Sequence, residues 1–296
     1  MKLRANGIEL EVEVHGPESG EPLLLVMGLG MQLVGWQDGL VEAFVRQGFR
    51  VVRFDNRDIG LSQGFDAHGV PNLLLAAGRQ VLGLRVGAPY TLQDMADDAA
   101  GLLDSLGMAS AHVCGASMGG MIAQLLALRH PARVRSLTLM MTHSGSRRVP
   151  RPSLAVQRAM LARPAKPRQM PQLLAHYRQL YALIGSPAYP PEPAALEARL
   201  RASLTRSYRP AGTARQMVAI LAAADRSAAL ARLDVPTLVI HGAADPLVPP
   251  AAGVDLARRI PKASLDLIEG MGHDLPAPLW PRFAAGVAGV AAAAAS

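Results

Sequence analysis

The chain has 296 residues, half of them hydrophobic and 18% charged, which suits a sizeable buried core and excludes a disordered chain. Its single cysteine excludes an internal disulfide and any multi-cysteine metal site, and no apolar run is long enough to span a membrane. The net charge of +7 is uneven: residues 145–230 carry 13 Arg and one Lys against Glu192, Glu197 and Asp225, while the rest is net acidic, unlike a uniformly basic nucleic-acid binder.

The opening "MKLRANGIELEVEVHG" alternates apolar and charged residues, which predicts half-exposed antiparallel strands at a sheet edge. It lacks the apolar run of a secretory leader, so a cytoplasmic location is expected. "PLLLVMG", residues 22–28, reads as a buried parallel strand, and the amphipathic stretch from Trp36 to Gln47 as a helix stopped at Gly48. "FRVVRFD" (49–55) is the next strand. Residues 91–108 open on a Thr-x-x-Asp capping pattern and close at Gly107, which predicts a helix. "AHVCG" reads as a strand, "SMGGMIAQLLALRHP" as a helix stopped by Pro131, and "VRSLTLMM" as another strand. Residues 145–230 then break the rhythm. They hold 10 of the 23 prolines and show helical periodicity at 154–162 and 213–224, as a helical insertion would. "VPTLVIHG", a helix over 251–259, "ASLDLIEG" and an alanine-rich helix complete the chain. Alternating strands and helices predict an α/β fold, a mainly parallel sheet covered on both faces. The core is expected over 1–144 and 231–296, with 145–230 as the insertion.

The octet "VCGASMGG" (113–120) places Ser117 between a strand and a helix, flanked by Gly115 and Gly119. Two readings compete. A serine after a glycine turn is a common helix N-cap. The same strand–turn–helix setting is what Gly-x-Ser-x-Gly requires of a nucleophile, with the hydroxyl raised above the sheet edge. Such a hydroxyl needs a base, and His273 in "EGMGHDLP" lies in a glycine-flanked loop just past a strand. The base in turn needs a carboxylate. Asp245 in "HGAADPLVP" and Asp55 in "RFDNRD" both follow the end of a strand and compete for that role on sequence geometry.

"GASMGG" after a strand, with these pieces, resembles the α/β-hydrolase superfamily over about residues 3 to 290. "LLLVMGLGMQLVGW" and "FDNRDIGLS" are most similar to the subgroup containing the aclacinomycin methylesterases. The resemblance implies an eight-stranded, mainly parallel sheet with a helical cap over the catalytic edge. It also implies a triad of Ser117, Asp245 and His273, with Asp55 structural. The implied oxyanion donors are the backbone N–H groups of Met118 and Leu29. Met27 stands where many relatives carry histidine, while Gly28 is retained. Gly28, Met31, Trp36 and His143 are candidates for the substrate pocket. Arg57 and Asp58 read as an ion pair bracing their loop, Asp274 as a loop hydrogen-bonder, and Cys114 as buried packing.

Leu154, Met160, Leu161, Leu173, Leu180, Met217 and Leu221 are expected to form the apolar underside of the cap. The implied reaction is hydrolysis of a carboxylic ester or lactone, a small molecule with an apolar portion, through an acyl-enzyme. No cofactor, metal, nucleic acid or membrane span is expected. The same triad also serves perhydrolases, carbon–carbon bond hydrolases and acyltransferases. A non-catalytic binding protein would be expected to have lost a triad member.

Overall fold

A computed structural model describes residues 1–162, 164 and 169–294. Eight strands form one sheet: β1 (Lys2–Ala5), β2 (Ile8–His15), β3 (Glu21–Val26), β4 (Phe49–Phe54), β5 (Ala111–Ala116), β6 (Val134–Met140), β7 (Thr237–Gly242) and β8 (Ala263–Ile268). Their spatial order is β1-β2-β4-β3-β5-β6-β7-β8. The β1–β2 and β2–β4 pairs are antiparallel and every other pair is parallel, as the alternating pattern at the start and the apolar runs elsewhere predict.

The pleat sorts the apolar runs onto two faces. In β3, Leu24 and Val26 enter one core cluster and Leu23 and Leu25 the other. The first face is covered by α3 (Leu92–Ser105), α4 (Met118–Arg129) and α10 (Ala251–Arg259). The second is covered by α1 (Asp38–Arg46) and α11 (Trp280–Ala293). The capping pattern at Thr91 is realised in full, since Thr91 Oγ1 accepts from the Asp94 N–H and the Asp94 carboxylate from the Thr91 N–H. One helix carries no prior sequence signal, α2 (Leu73–Val81), in the connection between β4 and α3.

Between β6 and β7 the chain leaves the sheet for α5 (Leu154–Leu161), α6 (Met170–Ile184), α7 (Pro193–Arg206), α8 (Pro210–Ala222) and the short α9 (Ser227–Leu230). Two arginines of this excursion, the buried Arg215 and the half-buried Arg206, bond to the loop after β4. Arg215 makes two 2.7 Å bonds to Asp58, and Arg206 one of 2.7 Å to Asp55. The expected Arg57–Asp58 pair is not formed. Arg57 pairs with Asp98 of α3 at 2.6 Å, because Asp58 faces Arg215 on the other side of the loop.

Candidate active site

The parallel strands β3, β5, β6, β7 and β8 deliver their C-terminal loops to one edge, where open α/β sheets bind ligands. Ser117 follows β5 with φ 55° and ψ −118°, a conformation costly for any residue with a Cβ. Its surroundings enforce it. The Ser117 N–H donates to Met140 O at 2.9 Å, and its carbonyl accepts from Thr142 Oγ1 at 2.7 Å and from the Gly120 N–H at 3.0 Å. A Cβ on Gly119 would lie 2.0 Å from Val26 O, and one on Gly115 2.3 Å from Gly119 O, so only glycine lets strand and helix close around the serine. The Ser117 side chain makes no cap bond to α4, which disposes of the helix-cap reading.

Instead, Ser117 Oγ lies 3.1 Å from His273 Nε2, and His273 Nδ1 lies 2.7 Å from Asp245 Oδ2. His273 is held by its own N–H, which donates to Ile184 O at the end of α6 at 2.7 Å. Asp245 is buried, and its other oxygen accepts the N–H groups of Leu247 and Val248, each at 2.8 Å. Asp55, the rival carboxylate, is fully occupied. Oδ1 accepts from the Leu33 N–H at 2.7 Å, and Oδ2 from the Leu61 N–H and Arg206. Burial holds its pKa above the usual carboxylate range against the pull of those donors.

The Leu29 N–H has no hydrogen-bond partner among the described residues, and Met118 is the first residue of α4, where helical N–H groups lack intrahelical acceptors. Gly28 brings the two segments together, since a Cβ there would meet Ser117 Cβ at 3.2 Å. The loop is braced from above by Gln216 of α8. Its Oε1 accepts the Gly30 N–H, and its Nε2 donates to Arg57 O, both at 2.9 Å. This brace was not anticipated from the sequence. Its only signal is a polar pair, Arg215 and Gln216, inside an otherwise apolar helical stretch.

A cavity of about 1650 Å³ opens over Ser117 and His273. Gly28, Met31 and His143 line it. Trp36 does not: it is fully buried in the core beneath, packed with the residues of α1. Met160, Leu161, Leu180, Met217 and Leu221 also line the cavity, whereas Leu154 points to solvent and Leu173 is buried in helix packing. Burial, aided by the positive charge of Arg226 and by His241, pushes the His143 imidazole down to about 4, so it is neutral at physiological pH. His241 is buried at the end of β7 with Nε2 2.8 Å from Val248 O. Asp274 accepts from Ser186 Oγ, and the Cys114 thiol is buried beside Met140 with its pKa raised by burial. Among the described residues no group of three or more His, Cys, Asp or Glu could hold a metal, and no helix is long and apolar enough to cross a membrane.

Comparison with known proteins agrees with this architecture. The rhodomycin D methylesterase of Streptomyces peucetius is 30% identical over 303 residues, covering 95% of this chain and 94% of that protein. A 2-hydroxy-6-oxononadienedioate/2-hydroxy-6-oxononatrienedioate hydrolase of Burkholderia vietnamiensis is 28% identical, covering 90% of this chain and 86% of that one. Among solved structures, the enol-lactonase from Burkholderia xenovorans LB400 superposes with a TM-score of 0.76 at 27% identity, covering 98% of this chain and 99% of that one. The profile of the alpha/beta hydrolase fold matches residues 21–276, and with that match the chain belongs to the α/β-hydrolase family.

Proposed function

We propose that the protein hydrolyses a carboxylic ester, of the carboxylesterase or methylesterase type and with lactones included, through an acyl-enzyme on Ser117. The observation that carries this reading is the continuous relay from Asp245 through His273 to Ser117 at the floor of the cavity. The methylesterase and the enol-lactonase among its relatives support the same bond class.

In this reading Ser117 Oγ attacks the acyl carbon while His273 Nε2 takes its proton. The carbonyl electron pair moves to oxygen, where the N–H groups of Leu29 and Met118 stabilise the charge. Collapse breaks the bond to the alkoxy group, which leaves with the proton from His273. Water then attacks the acyl-enzyme with His273 again as base, releasing the acid and restoring the serine. Asp245 orients the imidazole and stabilises its charged form. The excursion over residues 145–230 acts as the cap. Its apolar residues Met160, Leu180, Met217 and Leu221 suit a substrate with an apolar portion.

Ser117→Ala should fold normally and lose hydrolysis of p-nitrophenyl butyrate by roughly three orders of magnitude or more. A fluorophosphonate should label Ser117 alone by peptide mass mapping. Unchanged turnover in the variant, or a label elsewhere, would overturn the assignment.

A further inference from the structure

The mouth of the cavity is bordered by a surface built the wrong way round for contact with water. In α2, Leu74 and its neighbour Leu82 at the C-terminal end are 77% and 73% exposed. At 100° per residue, positions 74, 75, 78, 81 and 82 share one face within about 120° of arc. That face reads Leu, Leu, Gly, Val, Leu, and every one of its residues is exposed. The inward side carries the buried Ala76, with Leu73 and Gln80 facing the cavity. The helix α5, which lines the same cavity, repeats the arrangement in part, with Leu161 reaching both the cavity and solvent. Leu154, Arg158 and Leu161 stand at i, i+4 and i+7, with Leu154 68% exposed.

Along the two chain segments that carry α2 and α5 the charge has one sign, although the exposed Asp225 also lines the cavity. No Asp or Glu occurs between Asp66 and Asp94, or between Asp104 and Glu192. Arg79 and Arg85 beside α2, and Arg147, Arg148, Arg151 and Arg158 beside α5, are all exposed, and none has a carboxylate partner among the described residues. Outward-facing leucines interleaved with unpaired arginines are what an element lying in a membrane interface presents. A second copy of this chain would oppose arginine to arginine across the contact. An anionic bilayer satisfies both halves of the surface, because its acyl region takes the leucines and its headgroups take the guanidinium groups.

We propose that α2 and α5 form an interfacial docking surface for an anionic lipid bilayer, and that the enzyme draws from it an ester whose apolar portion is dissolved in lipid. The second clause rests on the esterase reading above; the first stands without it. Docking there turns the cavity mouth toward the bilayer, so that an apolar substrate need not cross water to reach Ser117.

The test is flotation of the full-length protein with vesicles of phosphatidylcholine alone and of equimolar phosphatidylcholine and phosphatidylglycerol. The protein should float with the anionic vesicles, less so as salt is raised, and remain behind with the neutral ones. Leu74, Leu82, Arg148 and Arg158 do not line the cavity. The variants Leu74→Ser/Leu82→Ser and Arg148→Ser/Arg158→Ser should each weaken vesicle binding by about tenfold or more. Both should leave turnover of monomeric p-nitrophenyl butyrate unchanged. Ser117→Ala should float like wild type, so a failed esterase assignment and a failed docking surface give different results. Equal partition to both vesicle types, or variants that float as well as wild type, would overturn the proposal. So would light scattering that shows a dimer dissolved by Leu74→Ser/Leu82→Ser without vesicle binding.

Discussion

A carboxylate can orient a histidine only if it keeps an oxygen free for it. Asp245 satisfies that condition. Two backbone N–H groups fix Oδ1, and Oδ2 is left for His273 Nδ1. Asp55 fails it, because backbone N–H groups and Arg206 take both oxygens. The two aspartates should therefore respond differently to the same isosteric change. Asp245→Asn should lower kcat by about 10³ to 10⁴, with the urea midpoint little changed, since the geometry survives while the wrong imidazole tautomer is favoured. Asp55→Asn should lower the midpoint by removing the charge opposite Arg206, and reduce activity far less. The reverse pattern would place the acid at Asp55. Ser117, Asp245 and His273 were legible because each sits in a short local pattern, a strand end followed by a glycine-bearing turn. The environment that separates Asp245 from Asp55 was not, because Arg206 lies 151 residues away from the carboxylate it occupies.

At the scale of elements, the site depends on how α8 sits above the loop after β3. Gln216 bridges that loop to the one after β4, accepting from Gly30 and donating to Arg57 O. In the proposed mechanism it would position the Leu29 N–H without touching a reacting atom. Gln216→Leu leaves the buried Arg57 carbonyl and the half-buried Gly30 N–H unpaired, the former costing about 1–3 kcal/mol or a shift of the loop. The expected result is a fall of about tenfold in kcat with KM little changed, because oxyanion contacts strengthen only in the transition state. Gln216→Glu keeps an acceptor for Gly30 and should recover part of the loss. Equal losses in both variants, or a loss confined to KM, would assign Gln216 to substrate contact or to general stability. The strands and flanking helices were readable because one buried face imposes its period on the residues. The helix α2 escaped notice for the opposite reason. Its apolar residues face outward and its inner side is alanine, leucine and glutamine, so no alternation of polar and apolar faces marks it.

For the whole molecule, the question is which part of the excursion over residues 145–230 can move relative to the sheet. Arg215 and Asp58 are both buried and paired through two 2.7 Å bonds, and Tyr90 Oη and the Phe65 N–H also donate to Asp58. Burial alone would raise the Asp58 pKa, but these donors hold it below the usual carboxylate range, so the pair is ionic at neutral pH. Breaking the pair from one side leaves a buried charge short of its partner: Asp58→Asn leaves Arg215 only the exposed Asp66, 2.8 Å away, and Arg215→Met leaves Asp58 without its guanidinium. Asp58→Asn and Arg215→Met should each cost about 3–5 kcal/mol in urea unfolding. The double variant should cost much less than the two together, because neither charge is left alone, and strict additivity would show that the pair does not couple α8 to the core. A coupled pair fixes α8 to the loop after β4, together with Gln216 and the Arg206–Asp55 bond. The helix α5, which also lines the cavity, presents only Val156 as a buried side chain. Opening of the cavity should then come from α5 while α8 stays seated. Amide exchange checks this directly, with α5 expected to exchange well before α8 in the wild type. In Arg215→Met the α8 amides should accelerate toward the α5 rate, whereas a cap that moves as one rigid body would show matched rates before the substitution as well as after it.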